Sequence, residues 1–528
     1  MTDEAVFSHA AVAAPHALAA EAGRDVLAQG GNAIEAMIAM ASVIPVVYPH
    51  MNAISGDGFW VIRDAKGKVR AIEACGFAGE HATIERYLKL GDVIAPRGPN
   101  AALTVPGTIG GWALALELSA ALGGRMPLKI LLERAEKLAR EGVAVSPSEG
   151  RFDPTAHPGL VAAPGFAKTY FIEGKPAVPG AIRKQSRLAD TLGQLAHAGL
   201  DDFYRGDIGR EIAGDLEIIG SSITRADLKA YRAEWREPLS TRLKNASVYN
   251  TPAPTQGLAS LILLGLYERL APKSVEGFDH AHALIEGFKR AMAVRDRACV
   301  DFKIATEDFA YLTSPAFLES EARKIDKTRA APWPLPPDKG DTVWIGAIDP
   351  QGNSVSFIQS IYWEFGSGCV LERTGVLMPN RGIAFSLDRS AHNALRPGRR
   401  PFHTLNPPLA VFDDGRVMPY GSMGGDGQPQ FQAQVFARIN AGAKLADAVA
   451  APRHLYGRSW GASSVTVKLE ASYDDAVASA LARAGHEIER REAKDCDLFG
   501  HAGALVRHPK GNIAAAHDPR SDGGAMGL

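Results

Sequence analysis

The chain has only four cysteines in 528 residues, Cys75, Cys299, Cys369 and Cys496, set far apart and with no CxxC pair. That spacing excludes a disulfide framework and a cysteine-built zinc knot, and leaves buried or incidental thiols. A charge excess is also missing. Lys and Arg total 58 against 59 Asp and Glu, a formal charge of −1, so nothing indicates nucleic acid or an anionic membrane as a partner. A small neutral or anionic ligand suits this balance better. No apolar run reaches the roughly 18 residues that span a bilayer. The opening MTDEAVFSHAAVAAPHALAAEAGR carries acids early and no basic segment ahead of an apolar core. It does not read as a secretion signal, and a cytoplasmic location is expected. Internal repeats and low-complexity tracts are absent too.

What is present is a globular composition, 46% hydrophobic and 22% charged, on a chain long enough for a large core. Helical spacing marks 16–29, 32–43 and 127–141, and an extended pair lies around FWVIRDAKGKVRAIEA. DTLGQLAHAG, DDFYRGDIGREIAGDLE and DHAHALIEGFKRAMAVRDRACVDF are helical as well. The texture changes after residue 328. RAAPWPLPPDKGD holds Pro332, Pro334, Pro336 and Pro337, which deny it helix and favour extended chain. TVWIGAID and SVSFIQSIYW then flank the turn PQGN and predict a β-hairpin. Strands are expected at GVLMPN, LAVFDDGRVMPYG and GALVRHPKGNIAAAHD. A helix-rich first part and a strand-rich remainder, with no independent linker, predict one interwoven α+β domain.

Thr342 opens the first hairpin strand. On propensity it is a β-branched strand residue. The alternative is that the bond between Asp341 and Thr342 is cut. Thr342 would then carry an α-amine of pKa about 7.7–8.0, able to activate its own hydroxyl as a nucleophile without a histidine. In YGSMGGDGQPQ, Gly424 and Gly425 make either a tight turn or a pair of N–H donors for an oxyanion. Ser422 misses the GxSxG elbow because Tyr420 stands at the first glycine position, which leaves a serine hydrolase as a weak alternative. Asp279 reads as an N-cap, and His280 and His282, two apart, point to different faces of a helix, so no metal site is expected there. GGNA at 30–33 and GDGF at 56–59 do not match a phosphate loop.

Taken in order, GGNAIEAMIAM, TVPGTIGGWALALE, TPAPTQG, DTVWIGAIDPQGNSVSFIQSIYWEFGSG, GVLMPNRGIAFS, RPFHTLNPP, GSMGG, AAPRH and HDPRSDGGA resemble the γ-glutamyltranspeptidase family of N-terminal nucleophile hydrolases over nearly the whole chain. The resemblance implies a four-layer αββα fold, made as a precursor that cuts itself before the threonine. Here that gives a large subunit, 1–341, and a small subunit, 342–528, intertwined as a heterodimer or a pair of heterodimers. It implies Thr342 as nucleophile, Ser360 as a second hydroxyl nearby, Gly424 and Gly425 as the oxyanion hole, and no cofactor or metal.

The departures from the family pattern bear on substrate. Where glutathione-cleaving members hold the glutamyl carboxylate with an arginine, this chain has Cys75. Where they hold the amino group with an aspartate, it has Ala384. An asparagine is replaced by Tyr362, a glutamine by Arg381, and paired serines by His403 and Thr404. Val343 and Trp344 stand where threonine and histidine usually follow the nucleophile. An ammonium without its carboxylate would be desolvated uncompensated, so the pocket suits a γ-glutamyl group poorly. Arg381 and His403 instead offer donors to a compact anion, unless Arg381 is only a surface or structural ion-pair residue, and Tyr362 fills volume a longer substrate would need. VWIGAID, FIQSIYWEFGSG and NRGIAFSLD look like the family branch known as oxamate amidohydrolase. That branch implies hydrolysis of oxamate to oxalate and ammonia in intracellular nitrogen salvage, with γ-glutamyl hydrolase, transferase or acylase activity as the alternative.

Overall fold

The computed structural model describes residues 5–332, 341–458 and 464–528; most of the proline-rich stretch, residues 333–340, lies outside them. Two seven-stranded sheets form the centre. The first runs Gly524–Gly527, Ala11–Ala14, Asp341–Ile348, Ser354–Tyr362, Asp57–Arg63, Val69–Ala74, Glu234–Arg236. The second runs Ala5–Phe7, Ile513–His517, Ala502–Arg507, Val417–Ser422, Leu409–Phe412, Ala246–Asn250, Leu239–Arg242. All neighbours within both sheets pair antiparallel. Residues from either side of position 342 interleave in each sheet, which joins them into one α+β unit.

The hairpin strand Asp341–Ile348 is apolar on both faces because both are covered. Val343, Ile345 and Ala347 pack into the cluster that holds Met37, Ile38, Val43 and Ile44 of the helix Ala33–Val47. Trp344 and Ile348 point the other way and meet Leu505, Ile513 and Ala515 of the second sheet. Trp344 is the main spacer between the sheets. A Cβ on Gly421 would fall 2.1 Å from its Cδ1, and one on Gly503 2.4 Å from its Cζ3. Its indole N–H donates to Ser356 Oγ at 3.0 Å, and Ser356 donates to the Tyr420 carbonyl at 3.2 Å. On the outer face of the second sheet, the helices Gly257–Leu270, Phe278–Ala298 and Gln428–Asn440 share a cluster with Ala410, Met418, Ala504 and Ala514. Helices therefore cover both sheets, giving the expected αββα layers. No helix among the described residues is long and apolar enough to cross a membrane.

Several sequence motifs turn out to be joints. Asn32 of GGNA caps the helix Ala33–Val47 in a capping box with Glu35. Asp349, at the hairpin turn, accepts the Ala33 N–H at 3.0 Å and Asn353 Nδ2 at 2.7 Å. Arg453 of AAPRH meets Asp518 of HDPRSDGGA at 2.6 Å, both side chains wholly buried. GVLMPN is a correction: it forms no strand, only a bridge between Val370 and Leu377, because Ser367 and Cys369 take its Met378 carbonyl and N–H in a loop. Asp279 is a second correction, since Gly277 caps that helix and Asp279 falls in its first turn.

Removing Asp518 would leave the Arg453 charge buried and unpaired. Asp518→Ala is expected to cost about 3–5 kcal/mol, read as a lowered midpoint in chemical denaturation.

Candidate active site

Three neighbouring strands of the first sheet make the floor of the site. Asp341 pairs with Tyr362 and Val343 with Gln359. The register jumps between these pairs, so Ser360 and Ile361 together oppose Thr342 in a β-bulge. Ser360 pairs in turn with Asp57 on the next strand. Thr342, Ser360 and Asp57 thus line up across the sheet. Thr342 is fully buried, and its Oγ1 has no hydrogen-bond partner among the described residues. Ser360 Oγ accepts the Tyr362 N–H at 2.9 Å. Tyr362 takes φ +85°, a left-handed conformation costing a non-glycine residue on the order of 1–3 kcal/mol.

At this end of the strand the Tyr362 ring lies against Arg381, whose guanidinium carbon is 4.0 Å from the ring centroid, a cation–π contact. Arg381 opens the short turn Arg381–Ala384. Asn380 pins that turn to the bulge: its N–H donates to the Ile361 carbonyl at 3.2 Å, and its Oδ1 accepts the Trp363 N–H at 3.0 Å. Arg381 is not a surface arginine, being 0% exposed. Among the described residues, none of its three side-chain nitrogens has a hydrogen-bond partner. Among the described residues its counter-charge is Asp57 Oδ2, 3.7 Å from Nε. The other Asp57 oxygen accepts the Gly76 N–H at 2.8 Å. Burial pushes the Asp57 carboxyl up to about 7, with Arg381 and the Gly76 N–H opposing. Burial lowers the Arg381 pKa, with Asp57 opposing.

His403 and Thr404 reach this region along a strand-like crossing. His403 donates its N–H to the Pro254 carbonyl and accepts the Gln256 N–H, both at 2.9 Å. Its ring meets Phe59 edge-on at 5.0 Å, two residues along the strand from Asp57. Both His403 ring nitrogens and Thr404 Oγ1 are buried without a hydrogen-bond partner among the described residues. Burial, then the charges of Arg381 and Arg400, hold His403 well below the usual imidazole range. It is a neutral ring with one N–H to give, not a cation.

The strand Val417–Ser422, seated on Trp344, leads into the glycine turn. Gly424 has φ +123° and Gly425 φ +51°, the region that favours glycine. Gln256 ties this turn to the previous segment, its Nε2 donating to the Thr404 carbonyl at 2.7 Å and the Gly425 carbonyl at 2.8 Å. Gln256 Oε1 accepts from Arg295 at 3.2 Å, and Arg295 pairs with buried Asp426.

The structure therefore joins Thr342 to Ser360 through the bulge, Tyr362 to Arg381 through ring stacking, and His403–Thr404 to Gly424–Gly425 through Gln256. Cys75 packs with Phe59, Ile358 and Leu405, and burial pushes its thiol well above the usual range. It is a packing residue here. Asp57 and Gln256 escaped the sequence reading. The signal for Asp57 was an acid at the head of the apolar run GDGFWVI. His282 gathers with Glu286 and His486 in a buried group of metal-ligand types. Its members already have partners: Lys289 donates to Glu286 Oε1 and the Ala331 carbonyl at 2.7 Å each, and the His282 and His486 rings hydrogen-bond each other at 2.9 Å. Beside the site, a cavity of about 540 Å³ is lined by Tyr362, Trp363, Ala384, Asp92 and Asn393 among others.

The family described as Gamma-glutamyltranspeptidase matches residues 19–528. The Oxamate amidohydrolase proenzyme of Klebsiella pneumoniae is 45% identical over 99% of both chains. The Glutathione hydrolase-like YwrD proenzyme of Bacillus subtilis is 35% identical over 98% of both. Among solved structures, the cephalosporin acylase from Bacillus halodurans superposes with a TM-score of 0.90 at 31% identity, covering 100% of this chain and 97% of that one. Measured over nearly its full length by both sequence and structure, the chain belongs to the gamma-glutamyltranspeptidase family.

Proposed function

We propose that the protein is a self-processing amidohydrolase that cleaves a small anionic amide, oxamate, to oxalate and ammonia. The precursor is cut between Asp341 and Thr342, giving subunits 1–341 and 342–528. The observation that carries the substrate reading is Arg381, a fully buried guanidinium with no hydrogen bond among the described residues and Tyr362 stacked on one face. Such a fork matches a carboxylate in bidentate geometry. His403 adds one neutral N–H donor, and Thr404 a hydroxyl.

In this reading the Arg381-bound carboxylate sets the adjacent amide carbonyl against Thr342. Thr342 Oγ attacks, and its α-amine takes the hydroxyl proton. The Gly424 and Gly425 N–H groups stabilise the oxyanion. The amine returns the proton to the leaving nitrogen, and ammonia departs. Water then attacks the acyl ester with the amine again as base, releasing oxalate and restoring the threonine. Ser360, held in the bulge opposite Thr342, positions the nucleophile. Burial of the nucleophile, Arg381, His403 and Thr404 favours a compact substrate, and the 45% identical Klebsiella relative carries the oxamate name.

A second reading, action on a bulkier γ-glutamyl or acyl amide, draws on the cavity of about 540 Å³ beyond Tyr362 and Trp363, which has room for a larger leaving group. Ammonia release from oxamate, measured beside release from a chromogenic γ-glutamyl anilide, separates the two. Hydrolysis of oxamate is expected; turnover of the anilide alone would establish the second reading.

Two variants test the assigned roles. Thr342→Ala is expected to remain one full-length chain on a denaturing gel and to release ammonia only at background. Arg381→Ala is expected to mature normally yet lose about 2–5 kcal/mol of substrate binding, seen as a rise in KM of roughly 30-fold or more. Loss of self-cleavage in Arg381→Ala would make that residue structural.

A further inference from the structure

Asp57 belongs to no step above, yet it is the only carboxylate that faces Arg381 among the described residues. The pair is loose. At 3.7 Å, Asp57 balances the guanidinium charge without taking up its donors. The arrival of an anion upsets this balance. Arg381 and ionised Asp57 sum to zero in a fully buried setting, so a bound monoanion would leave one unbalanced negative charge there, which costs several kcal/mol. A proton on Asp57 removes that charge and leaves Arg381 to the ligand alone.

We propose that Asp57 is an exchangeable counter-ion of Arg381, which takes up one proton from solvent when an anionic ligand occupies the guanidinium. The inference rests on the reading of Arg381 as the carboxylate clamp. The step balances: ionised Asp57, the ligand anion and one solvent proton become neutral Asp57 and the bound anion. Asp57 is then a positioning residue that sets how strongly the site holds anions at a given pH.

The groups around it leave Asp57 as the responsive one. Tyr362 stacks on Arg381, and His403 lies within its field. Cys75 comes directly after the adjacent strand, and Tyr204 and Tyr231 lie within the field of Asp57. Burial pushes Cys75, Tyr204 and Tyr231 up and His403 down, so all four are neutral near neutral pH. Asp57 itself is pushed to about 7 by burial. Below that value it is already protonated and Arg381 is open to an anion; above it, binding must draw a proton. Among the described residues, the other group expected to titrate here is the Thr342 α-amine, at about 7.7–8.0, while the Asp341 α-carboxylate made by the same cut, at about 3.3–3.7, stays ionised across this range. As the base the amine acts on kcat, and its contribution to binding persists when Asp57 is replaced.

The test uses matured wild type and Asp57→Asn. In wild type the KM for oxamate is expected to rise above pH 7, by up to about tenfold per unit. In Asp57→Asn it should stay low and much flatter, while kcat keeps its own pH profile in both. A flat wild-type KM with oxamate being turned over, or an equal slope in both proteins, would overturn the inference. Should Asp57→Asn fail to mature, calorimetry of wild type with glycolate, an inert monoanion, in two buffers of different ionisation enthalpy still decides. About one proton taken up near pH 8, where the roughly half-protonated Thr342 α-amine accounts for about half a proton at most, and about none near pH 6 is expected; equal uptake at both values, or no more than about half a proton near pH 8, contradicts it. If glycolate draws its proton but oxamate is not hydrolysed, the substrate reading fails and the role of Asp57 stands.

Discussion

The buried charge of Arg381 constrains everything around it. A guanidinium moved out of water costs several kcal/mol unless it is balanced, and here it is 0% exposed with its nitrogens unbonded to protein among the described residues. Three features hold it there: a carboxylate at 3.7 Å, a tyrosine face at 4.0 Å and a turn pinned by Asn380. Each brings a distortion of its own. Asp57 sits at the head of an apolar strand, Tyr362 adopts a left-handed backbone, and the strand bulges at Ser360. An arrangement kept at such cost is better explained by ligand binding than by stability.

The fold supplies the rigidity this needs. Thr342 begins a strand covered by the Ala33–Val47 helix on one face and by Trp344 against the second sheet on the other. The same Trp344 carries Gly421, three residues before Gly424. One indole thereby fixes the spacing between the strand that holds Thr342 and the strand that ends at the glycine turn. Gln256 completes the frame from the outer helices, bonding Thr404 and Gly425 together.

Much of this was legible in the sequence, for physical reasons that differ by element. The hairpin after Thr342 shows as two apolar runs around a polar turn, and the helices show their 3.6 period, because local pattern sets them. Arg381, His403, Thr404 and Tyr362 were visible as departures from a family pattern. Asp57 was not, because its meaning depends on a partner more than 300 positions away, and no local rule connects GDGF to NRGIAF. GVLMPN misled for the opposite reason. Its residues favour a strand, but tertiary hydrogen bonds from Ser367 and Cys369 claim the backbone first. Likewise Asp279 has the chemistry of a cap, yet Gly277 takes the position.

Thr342 must become an N-terminus for the proposed chemistry to run, since among the described residues nothing hydrogen-bonds its hydroxyl and the free α-amine would be its base. Intact-mass spectrometry of the purified protein, with sequencing of the smaller chain, measures this directly. Two chains are expected, the smaller beginning Thr-Val-Trp-Ile-Gly. A protein that stays a single chain while hydrolysing amides, or one cut so that another residue leads the small subunit, would contradict it.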